Sequence, residues 1–198
     1  MWDDLYNKAI KNNNLEEVQQ LRDLHFKAKA PDTKISEKSF IGSNDNYSEL
    51  RTRVEDPDVG EMNGIYSTFD NKYANKYGDN IQSFYINAKN PLYTTGRWTG
   101  VIDDITANKI KNRGYDVVVN TDFDKSGRIL DFLRGGKRTE NITFNSNQMK
   151  LADAITKDDN GKIIPLSKRD NFNNPDIRYS WLMPTIPLGL MSYKLANE

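Results

Sequence analysis

The segment that decides the fold spans residues 63–78 and reads Asn-Gly-Ile-Tyr-Ser-Thr-Phe-Asp-Asn-Lys-Tyr-Ala-Asn-Lys-Tyr-Gly. The apolar and aromatic residues after Gly64 are typical of a short strand. Tyr73 and Tyr77 lie four residues apart, the spacing of one helix face. The segment therefore predicts a strand, a polar turn and a helix, and Tyr66 and Tyr77 can then hold a flat ring between them.

Composition limits the range of possible functions. The chain has 198 residues, enough for a core, but only 36% are hydrophobic and the mean hydropathy is -0.79, which predicts long loops. Lys and Arg total 28 and Asp and Glu total 28, so the net charge is zero. No overall field therefore attracts nucleic acid or an anionic membrane, and we expect no nucleic-acid partner.

Cysteine is absent from the sequence, which excludes disulfides, thiolate metal sites and a cysteine nucleophile. A single histidine, His25, argues against a histidine metal site or a serine-histidine-aspartate triad, and we expect it at the surface or between helices. No metal site is predicted. The acidic start Met-Trp-Asp-Asp predicts no secretory signal, and the composition is typical of a reducing cytoplasm.

Three units are predicted along the chain. Residues 1–30 have helical periodicity interrupted by asparagines 12–14, which indicates a helical hairpin too short to fold alone. Residues 31–180 form the main domain. Residues 181–198 form an apolar tail, which contains two prolines, is too short to span a bilayer, and is expected to dock on its own domain or on a partner.

Within the main domain, short strands alternate with long loops. Strands are predicted at 40–43, 81–88, 115–120 and 141–144, the second closed by Pro91 and the last being the final core strand, and a helix at 103–113. Loops are predicted at 44–63 and 122–138. With the hairpin, this order predicts an α+β fold.

Several segments together resemble the ADP-ribosyltransferase domains of phage and mobile-element polyvalent proteins. The resemblance covers the chain from about Trp2 to Ser180 and is carried by residues 64–68, 71–77, 85–92, 114–118, 140–150, 158–169 and 174–180. That family is similar to the diphtheria-toxin and poly(ADP-ribose) polymerase group. It implies a split, strongly bent mixed β-sheet, preceded here by the hairpin, with NAD in the cleft between its halves.

The resemblance also implies roles for individual residues. Tyr66 and Tyr77 match the two rings that close over nicotinamide, and Glu140 matches the catalytic glutamate. The nucleotide would be approached closely by the backbone at Gly42, with hydrogen bonds from Ser43 and Ser67. The chain departs from the family where a histidine is usual, since that position is Ile41.

The chemistry expected of Glu140 follows from the reaction. Breaking the bond between nicotinamide and ribose passes through an oxocarbenium-like state, which a nearby carboxylate stabilises. A carboxylate can also hold a ribose hydroxyl or orient the attacking nucleophile, and the sequence leaves these roles open.

The resemblance thus predicts an enzyme that moves ADP-ribose from NAD to a host acceptor, most simply a protein, in the host cytoplasm or carried there in the virion. An alternative is a catalytically weakened domain that serves as a virion cargo or binding module, motivated by Ile41 and by the apolar tail, which offers a surface for a virion or polyprotein partner. A nuclease-like toxin is disfavoured, because the chain has only one histidine for catalysis and no net positive charge to bind nucleic acid.

Overall fold

The computed structural model describes residues 1–44, 64–95, 104–122, 138–173 and 176–178. The predicted loops at 44–63 and 122–138, except for their ends, and the whole tail 181–198 lie outside the described residues. Two helices open the chain, α1 (Trp2–Lys11) and α2 (Leu15–Lys29), and the later ones are α3 (Asn71–Ala74) and α4 (Asp104–Asn112). The strands are β1 (Ser39–Ser43), β2 (Ile65–Ser67), β3 (Asn80–Ile86), β4 (Pro91–Thr95), β5 (Val117–Asp122), β6 (Arg138–Thr143) and β7 (Met149–Leu151).

The described strands form two sheets, and the chain is α+β as expected. One sheet is antiparallel with the order β1-β3-β7, and the other has the order β2-β6-β5-β4, in which β4 and β5 are parallel. An antiparallel bridge joins the sheets, because Phe40 and Thr68 exchange backbone hydrogen bonds of 2.7 and 3.0 Å. Strand β1 therefore runs beside the end of β2.

The main core lies between the inner faces of the two sheets. Successive strand residues point to opposite faces, so Val117 and Val119 enter this core while Val118 points outward. The buried members of the core are Ile35, Ile65, Phe84, Ile86, Ala88, Val117, Val119, Met149, Leu151 and Ile177. Burying a side chain the size of Phe84 contributes roughly 1.5–3 kcal/mol, so this core is the main stabilising contact between the sheets.

Helices cover the outer faces. Helix α4 packs Ala107 and Ile110 on Val118 of the larger sheet. Helix α2 covers the smaller sheet, where the Phe26 ring stacks on that of Tyr85 with centroids 4.3 Å apart. Each sheet therefore has apolar residues on its outer face where a helix packs against it, in addition to those of the main core.

The predicted hairpin is confirmed in its two helices. Helix α2 begins at Asn14, whose side chain accepts a hydrogen bond from the Glu17 backbone at 3.2 Å, as an N-cap residue does. Asn13 has φ 52, the left-handed conformation that asparagine tolerates in a tight connection. The Tyr6 hydroxyl donates to the Ala154 carbonyl at 2.6 Å, so α1 is fixed to the segment that follows β7.

A buried charge network fixes α2 to the segment around residue 170. Arg22 donates two hydrogen bonds of 2.6 Å to the Asp170 carboxylate, and His25 Nδ1 lies 2.8 Å from the same carboxylate. Burial would raise the pKa of Asp170, but the hydrogen bond to His25 and the Arg22 charge hold that pKa below its ordinary value. His25 is only 1% exposed, and its ring meets that of Trp2 in α1 edge to face with centroids 5.6 Å apart. Of the two expected locations, the position between helices is therefore correct and the surface position is wrong.

Two strands differ from the sequence-based expectation. The strand predicted at 81–88 does end before Pro91, since β3 ends at Ile86, but β4 was not predicted. It begins at Pro91, because a proline is tolerated at the first position of an edge strand. The segment 141–144 was predicted to be the last core strand, but β6 ends at Thr143 and β7 follows it. A three-residue strand such as β7 is too short to produce a periodic pattern.

Candidate functional site

Helix α3 begins with a side-chain cap and lies against β1. The Asp70 carboxylate accepts hydrogen bonds from the backbones of Lys72 at 2.9 Å and Tyr73 at 3.4 Å, which explains why the helix starts at Asn71. A Cβ on Gly42 would lie 1.8 Å from the Ala74 carbonyl oxygen. Glycine at this position therefore lets the helix backbone approach the strand.

The tyrosines of this segment form an exposed pair. Tyr73 and Tyr77 meet edge to face with centroids 5.6 Å apart, and their hydroxyls are 3.0 Å apart. The Lys76 ammonium lies 5.2 Å from the centre of the Tyr73 ring. Tyr77 is 60% exposed, so part of its ring is accessible to a ligand. The predicted pairing of the two rings is confirmed, but α3 ends at Ala74, so Tyr77 lies in the turn after the helix and not on the helix as predicted.

Tyr66 and Glu140 lie on one face of the larger sheet. Tyr66 is directly opposite Ile142 in the antiparallel β2–β6 pair, and Glu140 is two residues before Ile142. Directly opposite residues share a face, and so do residues two apart on a strand. Tyr66 and Glu140 are therefore diagonal neighbours, with Cα atoms roughly 7–8 Å apart by the usual sheet geometry. Tyr66 packs against the α4 cluster, and Glu140 is half-buried.

Two further polar residues extend this face beside Glu140. Asn120 is directly opposite Glu140 on β5, and Thr94 is level with Asn120 on β4. The Thr94 hydroxyl donates to the Asn120 side-chain oxygen at 3.2 Å, and Asn120 is only 3% exposed. A hydroxyl, an amide and a carboxylate thus form a row across three strands. Asn120 is a polar residue directly after the apolar run 117–119, and this is the sequence signal that could have identified it. The run itself indicated only a strand, so Asn120 was not predicted as a site residue.

The bridge between the sheets places Gly42 on this same side. Phe40 is opposite Thr68, so Phe40 shares a face with Thr68 and, two residues away, with Tyr66. Gly42 is two residues from Phe40, and α3 lies on the side where its Cβ would project. Tyr66, Glu140, Gly42 and the helix that leads to Tyr77 therefore lie on one side of the joined sheets.

The remaining predicted residues face the other way. Ser67 is opposite Asn141 on the inner face and is 6% exposed, and Ser43 is 7% exposed. Ile41, at the position where the family has histidine, is partly buried and packs with Phe69 against the main core. Both serines can support the strands that carry the candidate site, but they project from the face opposite to Tyr66.

Two buried basic groups with lowered pKa values, Lys150 and Arg169, lie away from this site. Burial lowers the pKa of Lys150 to about 8, and its ammonium donates to the Asp176 carbonyl at 2.9 Å. Burial and the neighbouring Arg22 charge lower the pKa of Arg169 to about 10. Arg169 binds backbone carbonyls of the segment 151–154. Lys150 and Arg169 are each 1% exposed, so they contribute no reactive group to an exposed surface.

Neither a metal-binding cluster nor a membrane-spanning helix occurs in the described part of the chain. Within those residues, no group of three or more histidine, aspartate or glutamate side chains is arranged to hold a metal ion. No helix in the same residues combines the length and apolar character needed to cross a bilayer. In the comparisons with known proteins, neither a family model nor a curated protein matches this chain.

Proposed function

We propose that this chain is an ADP-ribosyltransferase encoded by a phage or mobile element, which binds NAD where β1 and β2 meet and transfers ADP-ribose to a protein of the host. The observation that supports the proposal most is the strand register, which gives Tyr66 and Glu140 one face beside the helix that leads to Tyr77. The exposed Tyr77 ring can stack on nicotinamide, and the half-buried Glu140 carboxylate on the same side can stabilise charge on the ribose. The split, bent sheet of this family is part of the proposal.

The proposed mechanism assigns each residue a physical role. The Tyr66 and Tyr77 rings stack on nicotinamide and hold the glycosidic bond in place, with each aromatic pair contributing roughly 0.5–1.5 kcal/mol beyond burial. Nicotinamide leaves with the electron pair of the bond, and the positive charge that develops on the ribose is stabilised by the Glu140 carboxylate. A nucleophile of the acceptor then attacks the same ribose carbon and loses its proton.

Asn120 extends the proposed role of Glu140. Its side-chain oxygen is occupied by the Thr94 hydroxyl, which fixes the orientation of the amide. The amide NH₂ group is on the face that carries Glu140, because the two residues are directly opposite. An amide in this position orients the carboxylate or a ribose hydroxyl bound to it.

Tyr77→Ala provides the first test, with Tyr93→Ala as its matched control. The two tyrosines are almost equally exposed, at 60% and 61%, but Tyr93 lies on the edge strand β4. NAD that binds only the folded state raises the thermal midpoint of unfolding. We expect Tyr77→Ala to weaken NAD binding by roughly two- to tenfold through the lost stacking, and Tyr93→Ala to leave the NAD-dependent shift unchanged. Equal shifts in both variants would refute the assignment of Tyr77.

Ile41 favours a second candidate function, a weakened transferase domain that binds NAD or a virion partner without turnover. Its side chain packs with Phe69 against the core and offers no hydrogen bond to a ligand. A lost polar contact costs about 1–3 kcal/mol, or roughly ten- to hundredfold in affinity. NAD-dependent stabilisation without release of nicotinamide would favour this candidate over the transferase.

A further inference from the structure

Four polar side chains, Ser39, Ser67, Asn141 and Thr143, lie in the space between the two sheets, and we name them the inner polar seam. Their exposed fractions are 0%, 6%, 0% and 0%. They share the inner face with the apolar core, since Ser67 is opposite Asn141 and Thr143 lies two residues further along β6, opposite Ile65. Buried polar groups in an apolar layer are costly unless each has a hydrogen-bond partner.

One end of the seam is fully bonded, and this fixes the orientation of the Asn141 amide. The Ser39 hydroxyl donates to the Thr68 carbonyl at 3.2 Å, so its hydrogen is used and it can only accept from a neighbour. The Asn141 NH₂ group donates to Ser39 Oγ at 3.1 Å. Turning the amide over would bring two acceptors together, so Asn141 Oδ1 must point away from Ser39.

At the other end three buried atoms have no hydrogen-bond partner within the described part of the chain: Ser67 Oγ, Asn141 Oδ1 and Thr143 Oγ1. Leaving a buried donor or acceptor unsatisfied is destabilising for each group. Three such groups would remove a large part of the stability of an ordinary domain. Ser67 and Thr143 are diagonal neighbours on one face, and their hydroxyls are not hydrogen-bonded to each other.

We propose that these three atoms form a binding site for internal water, which joins β2 to β6 at the point where the two sheets meet. Water fits the donor pattern, because Asn141 Oδ1 only accepts whereas the two hydroxyls both donate and accept. Two or three protein partners are the number that a buried water normally has. No charged group belongs to the seam, so the site suits a neutral ligand. It lies directly behind Tyr66 and Glu140, and it holds their strands in register.

A double-mutant cycle tests the site, using Ser67→Ala and Thr143→Val, which remove one hydroxyl each at nearly constant shape. We expect each change to lower the ratio of folded to unfolded protein by roughly threefold to tenfold in denaturant titrations. In the double variant this ratio should fall by clearly less than the product of the two single fold-decreases, because both hydroxyls bind the same water. A crystal structure of the unchanged protein should show ordered water within hydrogen-bond distance of all three atoms.

Thr156→Val supplies the matched control. Its hydroxyl is also buried without a partner, but it lies in the 156–164 ladder, where the Thr156 carbonyl accepts from the Ile164 backbone at 2.9 Å. The fold-decreases caused by Ser67→Ala and Thr156→Val should therefore multiply in the double variant. The proposed water site requires this result together with the smaller combined effect of Ser67→Ala and Thr143→Val. Stabilisation by Ser67→Ala or Thr143→Val, a simple product for that pair, or direct bonding among the three atoms in the crystal would overturn it.

Discussion

Replacing Asp170 by Asn is expected to destabilise the protein by about 3–5 kcal/mol, the usual cost of removing one partner from a buried ion pair. The carboxylate is buried and binds both Arg22 and His25. Asparagine leaves the Arg22 guanidinium buried at 0% exposure without its counter-charge. Denaturant titration of the whole chain measures the loss. The matched control is Asp153→Asn, an exposed acid with a single hydrogen bond from Ser83 at 3.2 Å, which should change stability by less than about 1 kcal/mol.

The unchanged protein and Asp170→Asn should also differ in how their stability responds to acid. The pKa of Asp170 in the folded protein lies below its ordinary value, so its ionisation stabilises the fold above the unfolded-state pKa of about 3.9. That contribution disappears as the pH falls through the lower folded-state pKa. The stability difference between the unchanged protein and Asp170→Asn should therefore be largest above about pH 4 and should shrink below it. A difference that stays constant down to low pH would mean that the ionised carboxylate is not what holds α2.

Gly42→Ala is expected to displace α3, because the new Cβ would lie 1.8 Å from the Ala74 carbonyl oxygen, which is backbone and cannot rotate away. Overpacking of this kind costs about 1–3 kcal/mol. We expect the larger effect on ligand binding, since a displaced helix moves Tyr77 away from the face that carries Tyr66. The NAD-dependent rise in thermal midpoint should therefore be lost.

Gly161→Ala is the control for Gly42→Ala. Gly161 has φ 75, and nothing lies within 4 Å of an added Cβ, so alanine there adds backbone strain without crowding. It should cost about 1–2 kcal/mol and leave the NAD-dependent shift intact. If Gly42→Ala also retained the full shift, the position of α3 against β1 would have no part in the site.

The sequence predicted the elements that have a continuous apolar run or a clear helical periodicity. The apolar run 117–119 identified β5, and the helical spacing around asparagines 12–14 identified the hairpin. Strand β4 was missed because proline usually ends a strand, and its tolerance at Pro91 depends on β4 lying at the edge of a sheet. Which strand lies at an edge is a property of the assembled fold, and no local pattern contains it.

The candidate site was predictable in part. The spacing of Tyr73 and Tyr77 gave their pairing, whereas the burial of His25 depends on Asp170, which is 145 residues away. Alternation along a strand already implies that neighbours such as Tyr66 and Ser67 point to opposite faces. Applying that rule to the sequence would have separated the serine from the ring. The diagonal between Tyr66 and Glu140 required the β2–β6 register, which connects segments more than 70 residues apart.

Release of nicotinamide from labelled NAD tests the central claim most directly, measured with and without host lysate for the unchanged protein, Glu140→Gln and the exposed control Glu16→Gln. We predict release by the unchanged protein and by Glu16→Gln, and release roughly 10²–10³-fold slower by Glu140→Gln, the usual loss of one electrostatic stabiliser of the transition state. NAD should still stabilise Glu140→Gln against heat. No release and no stabilisation by NAD in the unchanged protein, with Glu140→Gln identical to it in every assay, would contradict the account.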